Sequence, residues 1–344
     1  MNPVIYVQPA QIHFIMNQRI QYIDIAKGIA ILSVVFGHSL CYILYGFDRA
    51  WTDSQLFQFI YSYHMPLFIF LSGLVSVTDI SWSRIPSDIW KRFRVFLIPF
   101  VLFGSLYSLL YSGNFDFVFS NSKFGYWYLW VLFALYLINY PFVIMGGGKQ
   151  RFVMQLVMIA ILWWSANHYV NRVPQSISDI LSLTLLVKFF PYYVMGNFIK
   201  RYSLHDRIFA NPLIFVISIA IWMFGSYLTF PYSDYLVTTA AIIVIMNVCR
   251  KMDVANLQTF IGNRIKSGLN YIGQATLYIY LFHYFAIQPL RTTFFYDLLP
   301  QYSNFGWDIL LCIPIVTLAV LFSLGIKFIL GQEPLIMKYI FNKK

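Results

Sequence analysis

The sequence predicts an all-α, polytopic integral membrane protein with about ten transmembrane helices and both termini in the cytoplasm. Three observations support this prediction: the composition, the recurrence of apolar segments, and the distribution of basic residues. Hydrophobic residues make up 59% of the 344 residues and charged residues only 11%, whereas a soluble domain carries about 25% charged residues. Because such a chain has too little polar surface for water, the bilayer must act as the solvent for most of it.

Apolar segments long enough to cross a bilayer recur along the chain. A helix needs roughly 20 residues to span the hydrocarbon core at about 1.5 Å per residue. The segments lie at approximately 25–45, 56–78, 94–113, 126–146, 152–169, 179–200, 211–230, 235–249, 268–290 and 307–331. No linker interrupts them, so residues 19–344 are expected to form one membrane-embedded domain. Residues 1–18 are expected to be a poorly ordered N-terminal extension.

The Lys and Arg residues predict the orientation, because cytoplasmic loops carry an excess of them. With the N-terminus inside, 19 of the 24 fall on the inner side, four fall on the outer side, and Lys188 lies within a membrane segment. The net charge of +11 does not indicate nucleic-acid binding, since these residues are scattered over loops rather than gathered on one face. The chain is expected to cross its membrane several times, and the family resemblance given below implies that this is the bacterial inner membrane.

The first predicted helix carries three ionisable residues on one stripe, namely Asp24, Lys27 and His38. At 100° per residue, Lys27 and His38 are about 20° apart around the helix axis and about 16 Å apart along it. Ionisable residues inside a membrane are costly and are functional candidates by default. Lys27 is therefore expected near the inner surface, with His38 deeper on the same face.

Two further histidines, His64 and His283, are predicted to lie at the depth of His38. His64 belongs to the second helix, which Pro66 is expected to bend. His283 belongs to the ninth helix, where it shares a polar face with Tyr280. Three histidines at matched depth favour one shared polar site over three separate packing residues. They could bind zinc, but no carboxylate or thiolate accompanies them, so no metal site is expected.

A basic cluster, KRFR, stands at the inner entrance of the third helix and contains Lys91, Arg92 and Arg94. One interpretation is anchoring by the positive-inside rule. The other is a phosphate site, because guanidinium groups bind phosphate oxygens in a fixed geometry. Together with Lys27, these residues would form an anion site below the histidines.

These segments together resemble the acyltransferase-3 family of membrane acyltransferases, and within it the fucose 4-O-acetylase-like branch. The resemblance rests on RIQYIDIAKGIAILSVVFGHS, YSYHMPLFIFLSG, KRFRVFLIPF, WYLWVLFALYL and YIYLFHYF. It implies transfer of an acyl group, usually acetyl from acetyl-CoA, to a hydroxyl of a cell-envelope sugar. The family's signature pair, a basic residue and a histidine separated by ten residues, matches Lys27 and His38, with Lys where many relatives have Arg. Its Arg-x-Arg element matches Arg92 and Arg94.

The resemblance also implies roles for the polar residues. The expected catalytic residues are His38, as a general base or a transient acyl carrier, and His64. The expected substrate-binding residues are Lys27, Arg92, Arg94, Asp24, Tyr280 and His283. Acetyl-CoA is expected as the donor substrate, with no permanently bound cofactor. The other expected partners are an envelope glycan or lipid-linked sugar and the lipid bilayer, without nucleic acid.

The alternative function is that of a transporter or flippase for a lipid-linked sugar. It would also need many helices, basic loops and a polar site near the midplane. Transporters often consist of two related halves with broken helices, and the sequence shows no such internal repeat. A membrane scaffold is a third possibility, but it gives no reason for histidines at matched depth.

Overall fold

The computed structural model describes residues 21–45, 52, 54–228, 230–254, 260–291 and 304–341, and this part of the chain is helical without β-strands. The expected N-terminal extension, residues 1–18, lies outside the described residues. The helices in chain order are α1 Gln21–Ser39, α2 Gln55–Tyr61, α3 His64–Val75, α4 Ile85–Arg92, α5 Ile98–Ser112, α6 Trp127–Ile144, α7 Lys149–Tyr169, α8 Gln175–Leu181, α9 Leu183–Arg201, α10 His205–Phe209, α11 Pro212–Phe224, α12 Ser233–Val254, α13 Phe260–Gln274, α14 Thr276–Arg291, α15 Phe305–Gly331 and α16 Pro334–Tyr339.

Seven helical segments among the described residues are long and apolar enough to cross a membrane, or eight if the bent pair α8–α9 counts as one span. By length and composition, the described helices therefore account for seven or eight crossings, whereas ten are predicted. The seventh predicted segment forms only the 13-residue helix α11, and the ninth is divided at Ala275 into α13 and α14. The eighth, predicted as the shortest, is the 22-residue helix α12. The count of ten and the side of each terminus stay predictions.

Helix α1 lies among the other helices and packs against α3, α12, α13, α14 and α15. Its close approach to α13 depends on small residues. A Cβ atom at Gly28 would meet the backbone of Leu269, and one at Gly273 would meet the backbone of α1. Such interfaces are typical of membrane helices, whose association depends on close packing. The polar stripe of α1 is thereby held against α13 and α14.

The second predicted segment is divided into α2 and α3 by a break at Ser62 and Tyr63. Pro66 causes it, because proline has no N–H for the carbonyl four residues earlier and its ring clashes there. That carbonyl belongs to Ser62, and it accepts a hydrogen bond of 2.9 Å from the Thr238 hydroxyl of α12. The structure thus has a break in the helix where Pro66 predicts a distortion, and the Thr238 hydroxyl of α12 provides the donor that the proline lacks.

A bend of 45° separates α8 from α9 at Ser182, which has a left-handed backbone conformation. The Nζ atom of Lys123 donates to the carbonyls of Asp179 and Ile180 at the end of α8, at 2.7 and 2.9 Å. It also donates to two carbonyls of its own loop, at 2.7 and 2.9 Å. A cation is favourable at a helix C-terminus, where carbonyls lack partners within the helix. Lys123, which is fully buried, therefore connects the loop before α6 to the end of α8.

Candidate active site

His38, near the end of α1, contacts His283 of α14. The Nδ1 atom of His38 and the Nε2 atom of His283 are 2.8 Å apart, and the two rings are stacked. The Tyr284 hydroxyl lies 3.1 Å from the other ring nitrogen of His38, Nε2. The turn that follows His38, Leu40–Leu44, is π-helical, a local widening that is frequent at functional sites. The predicted depth match thus becomes a direct contact for these two histidines.

Hydrogen bonds assign the protons on the two rings. The Nδ1 atom of His283 lies 2.8 Å from the Ile279 carbonyl, which can only accept, so this Nδ1 carries the proton. In the neutral ring, Nε2 of His283 then accepts, and Nδ1 of His38 donates to it. The Nε2 atom of His38 keeps its lone pair and faces the Tyr284 hydroxyl. It is the atom of this pair that is able to take up a proton.

His64 is the first residue of α3, directly after the break caused by Pro66. Its Nδ1 atom lies 2.9 Å from the Ile60 carbonyl, so this nitrogen carries the proton and Nε2 keeps a lone pair. The Tyr61 ring packs edge-to-face against it, with centroids 4.4 Å apart. His64 is buried and fixed in orientation by the broken helix, and it lines the same cavity as His38.

An inner cavity of about 270 Å³ lies at the end of the molecule that carries Lys27 and Arg92, both of which line it. We call this the inner end, following the predicted orientation. The ammonium of Lys27 is 3.5 Å from the Asp24 carboxylate. The Arg92 guanidinium lies over the Tyr136 ring at 4.3 Å and is 3.6 Å from the Asp88 carboxylate. The cavity thus holds two basic groups, each oriented by a neighbouring acid.

Lys91 and Arg94, also expected at the anion site, and Asp24, expected to bind substrate, do not line this cavity. Arg94 is not among the residues that line the inner cavity. It belongs to the π-helical turn Phe93–Leu97. Asp24 is buried and contacts Lys27 rather than lining the cavity. Of the Arg-x-Arg element, the structure places only Arg92 at this cavity.

A larger outer cavity, of about 750 Å³, is lined by His38, His64 and Lys188. Its other lining residues include Tyr61, Asn121, Trp127, Thr184, Tyr192 and Asp234. Amide, hydroxyl and aromatic side chains of this kind are suited to a sugar, which presents both hydroxyls and apolar faces. Val34, Met65 and Tyr280 line both cavities. The two cavities are therefore neighbours, separated by these three side chains.

The loop before α6 docks on the turn of α14 that carries the histidine. The Tyr280 hydroxyl donates to the Gly125 carbonyl at 2.9 Å, and the Tyr126 hydroxyl donates to the Leu281 carbonyl at 2.8 Å. Gly125 has a φ of +95°, and a Cβ atom there would meet the Tyr284 hydroxyl. The position of this loop therefore determines the position of the hydroxyl beside His38.

Sequence reasoning did not single out Tyr284 or the partners of Lys123. Tyr284 follows His283 directly, and its contact with His38 becomes visible only when α1 and α14 are placed together. The charge pattern predicts Lys123 only as one of the four basic residues on the outer side. Its partners are backbone carbonyls, which leave no pattern in the sequence.

Residues 20–324 match the acyltransferase domain that defines the acyltransferase-3 family. Because this match covers most of the chain, the protein belongs to that family. Two curated relatives are nodulation protein NolL of Mesorhizobium japonicum and nodulation protein NolL of Sinorhizobium fredii, each 32% identical to this chain over 136 residues. These alignments cover 36% of this chain and 35% and 36% of the relatives, so the chain matches about a third of their length. No solved structure matches it.

Proposed function

We propose that the protein is a membrane O-acyltransferase that transfers an acetyl group from acetyl-CoA to a sugar hydroxyl of the cell envelope. The donor binds at the inner cavity, and the acceptor, a glycan or its lipid-linked precursor, enters the outer cavity. The observation that carries this proposal is the His38–His283 pair. His38 lies one helical turn beyond Val34, which lines both cavities. A base at that position can serve a donor from one side and an acceptor from the other.

The reaction requires one proton acceptor beside the attacking hydroxyl. As the sugar oxygen attacks the thioester carbonyl carbon, His38 Nε2 takes the hydroxyl proton. The new carbon–oxygen bond forms, the carbon–sulfur bond breaks, and the proton passes from His38 to the departing thiolate. The products are the acetyl ester and the CoA thiol. In a two-step variant, the same Nε2 would carry the acetyl group between donor and acceptor.

His283 acts in this mechanism as a positioning residue rather than as a ligand of the substrate. Both of its ring nitrogens are engaged, one with the Ile279 carbonyl and one with His38. By accepting a hydrogen bond from His38 Nδ1–H, it holds the ring in the productive tautomer and stabilises the imidazolium that forms during the reaction. The Tyr280 hydroxyl is likewise occupied, because it donates to the Gly125 carbonyl. Tyr284, which is buried and lines neither cavity, is a second positioning residue, because its hydroxyl contacts the His38 ring at Nε2.

The donor site follows from the charges of the inner cavity. Lys27 and Arg92 provide a point charge and a planar guanidinium for the phosphates of coenzyme A. Along α1, Lys27 is about 16 Å from His38. A separation of this order fits a donor whose phosphates stay at the inner end while its extended arm brings the thioester to His38.

Transport of a lipid-linked sugar is the alternative, since two neighbouring cavities could also form a passage. Membership of the acyltransferase-3 family supports acyl transfer instead. The two functions differ in one observable, because a transporter consumes no acetyl-CoA.

The test is CoA release by the purified full-length protein in lipid nanodiscs, supplied with acetyl-CoA and an envelope glycan extract. His38→Gln keeps the bulk and hydrogen bonding of the side chain but cannot act as a base. It should lower the rate about 10²- to 10⁴-fold. His168→Gln is the matched control, because His168 stacks on Trp164 and lines neither cavity. Absence of CoA release by the unmodified protein, or equal rates for the two variants, would refute the proposal.

A further inference from the structure

Lys188 of α9 lines the outer cavity but takes no part in the reaction described above. It stands six residues after the bend at Ser182, within the helix pair α8–α9, which is long and apolar enough to cross a membrane. Its ammonium lies 5.7 Å from the centroid of the Phe189 ring. In the part of the chain that the structure describes, no carboxylate lies within 4.0 Å of it. Charged side chains within membrane spans usually face the interior of the bundle or a water-filled cavity, where they mark functional sites.

Lys123 shows what a structural lysine looks like on the same side of this molecule. Its ammonium is fully buried and surrounded by four carbonyl oxygens at hydrogen-bond distance. Lys188, by contrast, is exposed to the cavity. The first lysine holds two segments of the chain together. The second presents its charge to whatever occupies the cavity.

The one carboxylate among the lining residues, Asp234, has a local explanation. It is the second residue of α12, where an acidic side chain is stabilised by the positive end of the helix dipole. It lies beyond ion-pair distance from Lys188. No comparable helix end accounts for Lys188, which stands in the interior of α9. The remaining polar lining consists of neutral amide and hydroxyl groups, His38 and His64.

We propose that Lys188 binds an anionic group of the acceptor, so that the outer cavity selects sugars that carry a negative charge near the acetylated hydroxyl. This inference rests on the proposed function and adds the chemical class of the acceptor. An oxyanion of this kind could be the carboxylate of an acidic sugar or the phosphate that joins a sugar to a lipid carrier. Both accept charge-assisted hydrogen bonds from an ammonium.

The experiment compares acceptors of similar size and different charge, using the purified protein in nanodiscs with acetyl-CoA. The probes are methyl glucoside, methyl glucuronide, glucose 1-phosphate and polyprenyl phosphoglucose. The measured quantity is the ratio of kcat/KM for each anionic acceptor to that for the neutral one. We expect a ratio well above one for the unmodified protein. Lys188→Gln should lower it about tenfold or more, as for loss of a hydrogen bond to a charged group, and Lys188→Arg should restore most of it.

Lys327→Gln is the matched control. Lys327 also stands in a membrane-spanning helix with its ammonium over an aromatic ring, that of Tyr271 at 4.7 Å, but it does not line the outer cavity. This variant should keep the ratio of the unmodified protein. If Lys188→Gln does not fold, the proposal is tested instead by the salt dependence of KM for the acceptors in the unmodified protein. KM for the anionic acceptor should rise between 0.05 and 0.5 M NaCl, because salt screens the attraction between the two charges. KM for the neutral acceptor should stay the same.

The outcomes separate this inference from the proposed function. Acetyl transfer with equal efficiency to neutral and anionic acceptors would overturn the inference and leave the transferase intact. The same conclusion would follow from an unchanged ratio in Lys188→Gln. No CoA release with any acceptor would overturn the proposed function and the inference with it. A preference for methyl glucuronide alone would identify the anionic group as a carboxylate. A preference for glucose 1-phosphate and polyprenyl phosphoglucose would identify it as a phosphate. A higher kcat/KM for the polyprenyl probe than for glucose 1-phosphate would then indicate the lipid-linked form.

Discussion

The proton on His283 determines what His38 can do. The Ile279 carbonyl accepts from Nδ1 of His283, and this single contact directs Nε2 of His283 toward His38 as an acceptor. His38 must then donate from Nδ1, and the lone pair of its Nε2, which faces the Tyr284 hydroxyl, is the one left for proton transfer. The sequence places both histidines at one depth, but it does not reveal which nitrogen faces which. Which nitrogen of His38 donates depends on its contact with His283, which is 245 positions away in the sequence.

The two arginines of the Arg-x-Arg element provide a matched pair at the inner end. Arg92 lines the inner cavity and Arg94 does not. Arg92→Gln should therefore raise KM for acetyl-CoA about tenfold, as for loss of a hydrogen-bonded charged partner of the phosphates. Arg94→Gln should change it much less. The measurement is the KM of both variants at equal amounts of inserted protein, and a larger effect of Arg94→Gln would contradict the assignment.

At the scale of the elements, the candidate active site depends on a loop that docks against α14. Lys123 attaches this loop to the end of α8, and Tyr280 and Tyr126 attach it to α14. Gly125 lies where the loop passes the Tyr284 hydroxyl. His38, the proposed catalytic residue, is thus supported by a segment to which the proposal assigns no reacting group.

Gly125→Ala should lower the acetyl transfer rate about tenfold or more, because the added Cβ atom displaces the hydroxyl that hydrogen-bonds to His38. Gly113→Ala is the control, since Gly113 also has a positive φ of +68° but no atom within 4 Å of the added Cβ. Both substitutions carry backbone strain, and only the first reaches the site. Equal losses in the two variants would show that strain alone accounts for the effect. In a Tyr284→Phe background, Gly125→Ala should cost less.

Most helices could be placed from the sequence, and their breaks only in part. Pro66 predicts a distortion where the structure has the break between α2 and α3, because the missing N–H and the ring of proline act on the preceding turn of the same helix. The bend at Ser182 has no such signal, since neither proline nor glycine stands there and the left-handed turn is held by contacts with another loop. The division at Ala275 has no local signal either, because no proline stands there, and the predicted segment begins inside α13, whose sequence FIGNRIKSGLNYIGQ is amphipathic rather than apolar. Which basic residue faces a cavity also depends on the π-helical turn after Arg92, which apolar periodicity does not disclose.

For the whole molecule, the two cavities lie in sequence along α1. Lys27 lines the inner one, Val34 lines both, and His38 lines the outer one. With the predicted orientation, the donor would enter from the cytoplasm and the acceptor from the opposite face. The acetyl group would then cross the membrane during the reaction while coenzyme A stays on the inner side.

The most direct test follows the acetyl group in inverted membrane vesicles from cells that produce the protein, with the cytoplasmic face outward. Radiolabelled acetyl-CoA is added outside, and the label in glycan is then exposed to a membrane-impermeant esterase. The label should resist the esterase until the vesicles are lysed, because transfer at His38 delivers it to the lumen. Vesicles with His38→Gln should incorporate about 10²- to 10⁴-fold less label at equal protein abundance. Label that is released without lysis, or near-normal incorporation by the His38→Gln vesicles, would contradict acyl transfer between the two cavities at His38.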